Sequence, residues 1–165
     1  MNRCLEWEQL SEPQKLLIIT FQQSFPVKVG SLATELGAIV KKATLQAGIS
    51  GEIKLVDGHV EIRVNRHDVL ERQRFTLAHE IAHFLLHKDK IGDGIIDDVL
   101  YRSKLSDELE SEANKLAAEI IMPWNLIQSR LATFGNPKIT EQNIETMALE
   151  AQVSKTAMKI RLGKL

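Results

Sequence analysis

One stretch of strict alternation between apolar and charged residues constrains this fold more than any other part of the sequence. Residues 52–56 and 59–64 place apolar side chains at every second position, and Asp57-Gly58 lies between them. Such alternation predicts half-buried strands, and an Asp-Gly pair favours the two-residue type I′ turn of a β-hairpin. The sequence therefore predicts a hairpin in a small antiparallel sheet, to which residues 38–41 are a candidate further strand.

Helical periodicity accounts for much of the remaining chain, because apolar residues recur three and four positions apart after residues that commonly begin helices. The predicted starts are Ser11, Gly30-Ser31, Asp68, Ser106, Thr140 and Ser154. Asp68 and Glu71 have the spacing of a capping box, and Pro123 is placed to begin a helix. Residues 89–99 contain two glycines and four aspartates and are predicted to form a loop. Helices around a small sheet indicate the α+β class.

Size and charge exclude several classes of protein. The 165 residues suffice for one domain, with or without a small appendage. The 21 basic and 22 acidic residues give a net charge of −1, whereas whole-chain binding to nucleic acid or a membrane surface requires an excess of positive charge. A single cysteine excludes an intrachain disulfide and a four-thiolate zinc site. No segment resembles a signal sequence or a membrane span, so we expect a cytosolic protein.

The string His79-Glu80-Ile81-Ala82-His83 lies in the helix that follows the hairpin. Helical residues four positions apart share one face, so His79 and His83 can bind one Zn²⁺. Glu80 lies about 100° further round the helix, which suits a general base acting on a metal-bound water. The competing interpretation is a helix with two surface histidines and an ordinary glutamate.

A catalytic zinc site needs a third protein ligand from elsewhere in the chain. His87 continues the same helical face, but it lies about 12 Å along the axis from His79 and cannot share the metal with it. We interpret His87 as a group that positions a ligand or lies at the pocket rim, or simply as a cation at the helix end. His59 and His67 lie in or beside a strand end, so the acid-rich helix at 107–121 is the better source.

That helix carries several glutamates that are candidate third ligands. They are Glu108, Glu110, Glu112 and Glu119. One argument favours Glu110 as the ligand. Asn114 follows four residues later on the same helical face and can hydrogen-bond a zinc-bound histidine. Spacing alone does not separate Glu110 from Glu112.

Two stretches resemble the ImmA/IrrE family of metallo-endopeptidases. Residues 71–87 contain the His-Glu-x-x-His string, and residues 110–123 are similar to the family signature E-x-x-A-N-x-x-A-A-E followed by two apolar residues, Met and Pro. Weaker similarities extend the resemblance to about residues 25–165. The resemblance implies a zincin-like peptidase in residues 1–122, and a helical, helix-turn-helix-like region in residues 123–165. We expect no regulation by an attached sensor domain, since no long stretch follows.

Functional residues carry over from this resemblance position by position. It implies that His79 and His83 are zinc ligands, that Glu80 is the catalytic glutamate, and that Glu110 is the third ligand in place of Glu112. Mn²⁺ or Fe²⁺ can also occupy a site of two histidines and one carboxylate. Ala82 stands where the family usually has glycine, and Leu116 where it often has phenylalanine.

A tetrahedral oxyanion formed during peptide cleavage needs a hydrogen-bond donor. The sequence offers His87 and Tyr101, the sole tyrosine, as candidates. Tyr101 follows the acidic stretch and can lie over the site, although a tyrosine buried in the core is the simpler interpretation.

The resemblance also implies a partner. Characterised members cleave a repressor with a helix-turn-helix domain, and mobile elements or stress-response operons often encode them. The alternative is a toxin-like or regulatory interaction module that binds an antitoxin or repressor without proteolysis. Residues 155–164 carry four basic residues and no acid, but so small a patch does not predict DNA binding as the main activity.

Overall fold

The computed structural model describes residues 3–98, 100–135 and 138–165. The helices in that part of the chain are α1 (Leu5–Glu8), α2 (Glu12–Phe21), α3 (Val29–Glu35), α4 (Leu70–Leu86), α5 (Asp107–Ile121), α6 (Trp124–Thr133), α7 (Glu141–Ala151) and α8 (Lys155–Arg161). The strands are β1 (Ala38–Ala43), β2 (Ile49–Val56), β3 (His59–Asn65) and β4 (Ile95–Asp98), and a short 3₁₀ helix covers Lys88–Lys90. The predicted α+β class is confirmed.

The hairpin is present as the sequence predicts. β2 and β3 pair antiparallel, and the two turn residues have positive φ angles, 50° at Asp57 and 80° at Gly58. A type I′ turn requires positive φ at both central positions, which Asp-Gly tolerates.

The sheet is mixed, so the prediction of an antiparallel sheet is wrong at one edge. The strand order is β1-β3-β2-β4, and β1 pairs with β3 in parallel, from Ala38 opposite Val60 to Ala43 opposite Asn65. Residues 44–48 carry the chain past β3 before β2 begins, instead of making a tight turn. Local alternation predicts strands but does not determine on which side of the hairpin a third strand adds.

The prediction that 89–99 is a loop is wrong for residues 95–98, which form β4 against β2; residue 99 lies outside the described residues. The strand has only four residues. Its inward positions are Ile95 and Asp97, both buried. A polar residue at an inward position removes the apolar alternation by which such a strand is recognised.

Four of the predicted caps are confirmed, because the side chains of Ser11, Ser106, Thr140 and Ser154 accept backbone hydrogen bonds at the starts of α2, α5, α7 and α8. α6 begins directly after Pro123. The capping box predicted at Asp68 and Glu71 is wrong. α4 begins at Leu70 after Val69, which has no side-chain acceptor.

The core forms where α4 packs against β2 and β3, and α5 packs on α4. Ile53, Ile62, Ile81, Leu116 and Ile120 are fully buried there. The last three helices contribute further buried residues to the same core, namely Ile127, Met147 and Met158. α4 therefore packs against both the sheet and α5. None of the helices described has the length and apolarity needed to cross a membrane.

Candidate metal centre

Three polar side chains of α4 face the protein interior. His79, Glu80 and His83 are each 0% exposed. The imidazoles lie on one helical face, and their Nε2 atoms are 3.0 Å apart. Two ring nitrogens this close can bind one ion, since zinc–nitrogen bonds are about 2.0–2.1 Å long.

α5 brings a carboxylate to the two imidazoles. Glu110 Oε2 lies 3.2 Å from His79 Nε2 and 3.5 Å from His83 Nε2. Glu112 instead lies beside His87, with its Oε2 3.0 Å from His87 Nε2. The structure thus places Glu110 among the histidine nitrogens and Glu112 outside that group, a distinction that spacing alone does not make.

The outward nitrogens of both imidazoles have hydrogen-bond partners. His79 Nδ1 is 3.1 Å from Asn114 Oδ1, and His83 Nδ1 is 3.0 Å from His87 Nδ1. If Nδ1–H of each inner histidine donates, both Nε2 lone pairs are free to bind a metal. His87 then accepts at Nδ1 and donates from Nε2 to Glu112. Such outer contacts fix the tautomer and orientation of metal-binding histidines.

Sequence reasoning missed one residue of this group, Asp97 of β4. Its Oδ2 lies 3.6 Å from His79 Nε2 and 4.0 Å from His83 Nε2. The ligand atoms of His79, His83, Asp97 and Glu110 all lie within 4.8 Å of one another. Asp97 is one of four aspartates in a stretch predicted to be a loop, so only its tertiary position distinguishes it.

The donor set fits a divalent metal ion. Both carboxylate oxygens of Glu80 and Asp97, and Oε2 of Glu110, are buried without a hydrogen-bond partner. Buried carboxylates are costly unless a cation or donor compensates them. Imidazole nitrogens together with carboxylate oxygens suit Zn²⁺, and also Mn²⁺ or Fe²⁺.

Burial and mutual charge govern the protonation of these groups. Burial lowers the pKa of His79, but Asp97 and Glu110 outweigh it and raise that pKa to about 9. Burial lowers the pKa of His83. Burial also opposes ionisation of Glu110, yet the neighbouring imidazoles of His79 and His83 and the hydrogen bond from Ser103 hold its pKa well below the usual range.

Glu80 behaves in the opposite way to Glu110. Its pKa is raised well above the ordinary value, first by burial and then by the negative charge of Asp97. A carboxylate with a raised pKa accepts a proton more readily near neutral pH than an ordinary glutamate.

Tyr101 lies beside the centre. Its ring centroid is 5.2 Å from that of His79 and 5.1 Å from that of Phe75, and its hydroxyl accepts a hydrogen bond from Thr76 at 3.4 Å. Its φ of 54° lies in the left-handed region, which non-glycine residues rarely adopt. The structure therefore holds this side chain against the candidate site.

The two histidines considered as alternative third ligands lie outside the candidate site. His59 and His67 are not buried, and His67 contacts Thr44.

A groove of about 1000 Å³ adjoins the centre. Glu110, Asn114 and Tyr101 line it on the side of the metal-ligand candidates, while Leu149 and Ile160 line it on the side of α7 and α8. Both apolar side chains are exposed. The groove is large enough for a segment of a polypeptide chain and reaches residues of the candidate site.

Gly51 of β2 lies directly beneath Glu80. A Cβ atom there would clash with Cγ2 of Thr76 and lie 2.8 Å from Glu80 Oε1. We expect Gly51→Ala to lower the free energy of unfolding by about 1–3 kcal/mol, as overpacking does. Urea denaturation measures this loss.

Gly30→Ala is the matched control for that substitution. A Cβ at Gly30 meets nothing within 4 Å, and Gly30 lies in helix α3, where alanine is favoured over glycine. We expect this variant to be as stable as the parent or more so. If Gly51→Ala were as stable as the parent, the close approach of Gly51 to Thr76 and Glu80 would be contradicted.

Comparison with known proteins assigns the chain to a family. The profile of peptidase family M78, described as the IrrE N-terminal-like domain, matches residues 22–163. The chain therefore belongs to this family of metallopeptidases. The fold and the buried group of histidines and carboxylates agree with that class.

Two curated relatives are each named radiation response metalloprotease IrrE. The protein from Deinococcus deserti is 37% identical over 106 residues, which cover 64% of this chain and 37% of that protein. The protein from Deinococcus radiodurans is 35% identical over 122 residues, covering 67% of this chain and 36% of that protein. The match thus spans little more than a third of the length of these relatives.

A solved structure supports the fold alone. A Mycobacterium tuberculosis transcriptional regulator superposes with a TM-score of 0.54 at 16% sequence identity, covering 96% of this chain and 49% of that one. At this identity the similarity carries no information on activity.

Proposed function

We propose that this chain is a zinc-dependent endopeptidase that cleaves a helix-turn-helix repressor. The observation that carries the proposal is the convergence of His79, His83 and Glu110 beside the buried carboxylate of Glu80. Membership of a metallopeptidase family supports it independently.

In this proposal His79 and His83 bind zinc through Nε2, and Glu110 binds it through Oε2. The zinc ion supplies Lewis acidity, which polarises the substrate carbonyl and acidifies water. Glu80 accepts the proton of the attacking water and passes it to the leaving amine. Its raised pKa, caused first by burial, suits both steps.

Three further residues have supporting roles in the proposal. Asn114 and His87 hold the two imidazoles through their Nδ1 atoms. Both nitrogens of His87 are engaged, by His83 and Glu112, so His87 suits positioning better than oxyanion binding. Tyr101 is the better candidate donor to the oxyanion, because its ring lies beside His79.

The assignment of a repressor as substrate rests on the family resemblance. We propose that residues 1–122 perform the cleavage and that the helical region 123–165 forms the far wall of the groove. A repressor substrate would place the activity in the cytoplasm. The basic residues of α8 favour this role over DNA binding, since Lys155 and Lys159 are paired with Glu141 at 3.1 and 2.9 Å.

The test mixes the purified protein with zinc and the helix-turn-helix repressor encoded beside its gene. We expect two discrete repressor fragments, identified by mass spectrometry. Pre-treatment with a chelator should stop cleavage, and added zinc should restore it, because the proposed site acts only with its metal bound.

An unrelated repressor with a helix-turn-helix domain serves as the specificity control and should remain intact. Stable binding of the encoded repressor without cleavage, at saturating zinc, would contradict the proposal. It would favour the alternative, an interaction module that sequesters an antitoxin or repressor.

A further inference from the structure

Asp97 is a buried carboxylate that the proposed three-ligand site leaves without a role. It is fully buried, and neither of its oxygens has a hydrogen-bond partner. Its Oδ2 faces the same two Nε2 atoms as Glu110, at 3.6 Å from His79 and 4.0 Å from His83. A second negative group therefore faces the proposed metal position.

The distances among three of the four candidate ligand atoms match a tetrahedral zinc site, and the fourth atom lies slightly further away. Bonds of about 2.0–2.1 Å in a tetrahedral zinc site put neighbouring ligand atoms roughly 3.3–3.4 Å apart. The two histidine nitrogens are 3.0 Å apart, and Glu110 lies 3.2 and 3.5 Å from them. Asp97 Oδ2 lies 3.6 and 4.0 Å from the two histidine nitrogens, and all four atoms lie within 4.8 Å of one another, so a small shift of Asp97 would bring it to the same ion.

The backbone of β4 directs Asp97 inward. Ile95 and Asp97 face the interior while Ile96 is exposed, so the strand's own alternation turns the carboxylate toward α4. The pairing of β4 with β2 shifts register between Ile49 and Gly51, and Gly51 is the residue opposite Asp97. Irregularities of this kind commonly re-aim side chains next to active sites.

We propose that Asp97 is a fourth protein ligand of the metal, which closes a site of two histidines and two carboxylates. The inference rests on the proposed function, because it assumes that His79, His83 and Glu110 hold the ion. Catalytic zinc sites keep one position for water or substrate. Asp97 therefore occupies that position in the resting protein, and substrate enters when Asp97 withdraws or the coordination number rises.

The fold permits such a withdrawal. β4 is an edge strand, bonded only to β2 among the described strands, and it has only four residues. His79, His83 and Glu110 lie on the longer helices α4 and α5, which pack against each other. Asp97 is thus the ligand candidate on the shortest supporting element, and we expect that element to be the one that shifts.

The experiment compares zinc affinity, by competition with a chromophoric chelator, in five proteins. They are the parent chain, Asp97→Ala, Asp97→Asn, Glu110→Gln and Asp89→Asn. Loss of a ligand should weaken zinc binding by at least the roughly 10- to 100-fold typical of losing an outer partner. We expect that loss in both Asp97 variants and in Glu110→Gln. Asp89, 79% exposed in its side chain, should be neutral.

Two further measurements separate ligation from a structural role. Without metal, Asp97→Asn should melt close to the parent, because the attraction that it removes between Asp97 and His79 offsets the repulsion that it removes between Asp97 and Glu80. With Co²⁺ in place of zinc, both Asp97 variants should change the position and intensity of the visible absorption bands, which report the ligand set.

The outcomes separate this inference from the proposed function. If the parent binds no zinc, or if Glu110→Gln binds it unchanged, the proposed centre itself is wrong. If both behave as expected but the Asp97 variants match Asp89→Asn in affinity and in cobalt spectrum, only the fourth ligand is wrong.

Discussion

Glu80→Gln is expected to reduce peptide cleavage by about 10²- to 10⁴-fold, the range contributed by a general acid–base group, and to leave zinc binding intact. Glutamine has nearly the shape of glutamate but cannot accept a proton at neutral pH. Both oxygens of Glu80 lack hydrogen-bond partners, so the amide breaks no hydrogen bond that the structure contains. The expected loss is therefore in turnover rather than in folding.

Fragment formation from the encoded repressor, followed over time at saturating zinc, measures this effect. Zinc content and melting temperature are recorded on the same samples. Glu108→Gln is the matched control, since Glu108 is exposed on α5 and lies outside the group of ligand candidates. Cleavage by Glu80→Gln at the parent rate would rule out Glu80 as the base.

The α4 part of the candidate site could be predicted because it depends on one helix. Residues four apart share a helical face whatever the rest of the fold does, and His79 and His83 show that geometry directly. Glu110 required the family resemblance, because Glu110 and Glu112 are equally plausible until α5 is oriented against α4. Asp97 depends on sheet pairing, which no local pattern in residues 89–99 encodes.

Some parts of the fold could likewise be predicted from local sequence, and other parts could not. The hairpin, the caps at Ser106 and Ser154, and the α+β class follow from local preferences and were predictable. The parallel β1–β3 pair and the short strand β4 depend on which edge of the hairpin each strand joins. β1 packs against α3, and β2 and β3 pack against α4. These tertiary contacts leave no periodic signal in the strands themselves.

A second large effect is expected outside the candidate metal centre, at the ion pair that ties α8 to α5. Arg161 Nη2 lies 2.8 Å from Glu119 Oε2, and the two side chains are 11% and 1% exposed. Arg161 Nε also donates to the backbone carbonyl of Met122 at 2.9 Å. The other oxygen of Glu119 is bound by Arg3 at 2.9 Å, and the Arg3 side chain is 30% exposed.

Arg161→Met is expected to lower the free energy of unfolding by about 3 kcal/mol or more, because breaking a buried pair leaves an uncompensated charge and typically costs 3–5 kcal/mol. Arg3 still pairs with Glu119 in this variant, so we expect a loss of stability near the lower end of the range of about 3–5 kcal/mol. Methionine keeps most of the apolar volume, so the loss reports mainly on charge. Urea denaturation measures it.

Arg130→Met provides the matched comparison within the same region of the fold. Arg130 pairs with Glu150 between α6 and α7 at 2.7 Å, but the two side chains are 34% and 37% exposed. Solvent screens such a pair, so its removal should cost only about 0–1 kcal/mol. Adding Glu119→Gln to Arg161→Met should restore part of the stability by removing the stranded charge. Equal losses in Arg161→Met and Arg130→Met would show that burial of Glu119 does not govern the strength of this contact.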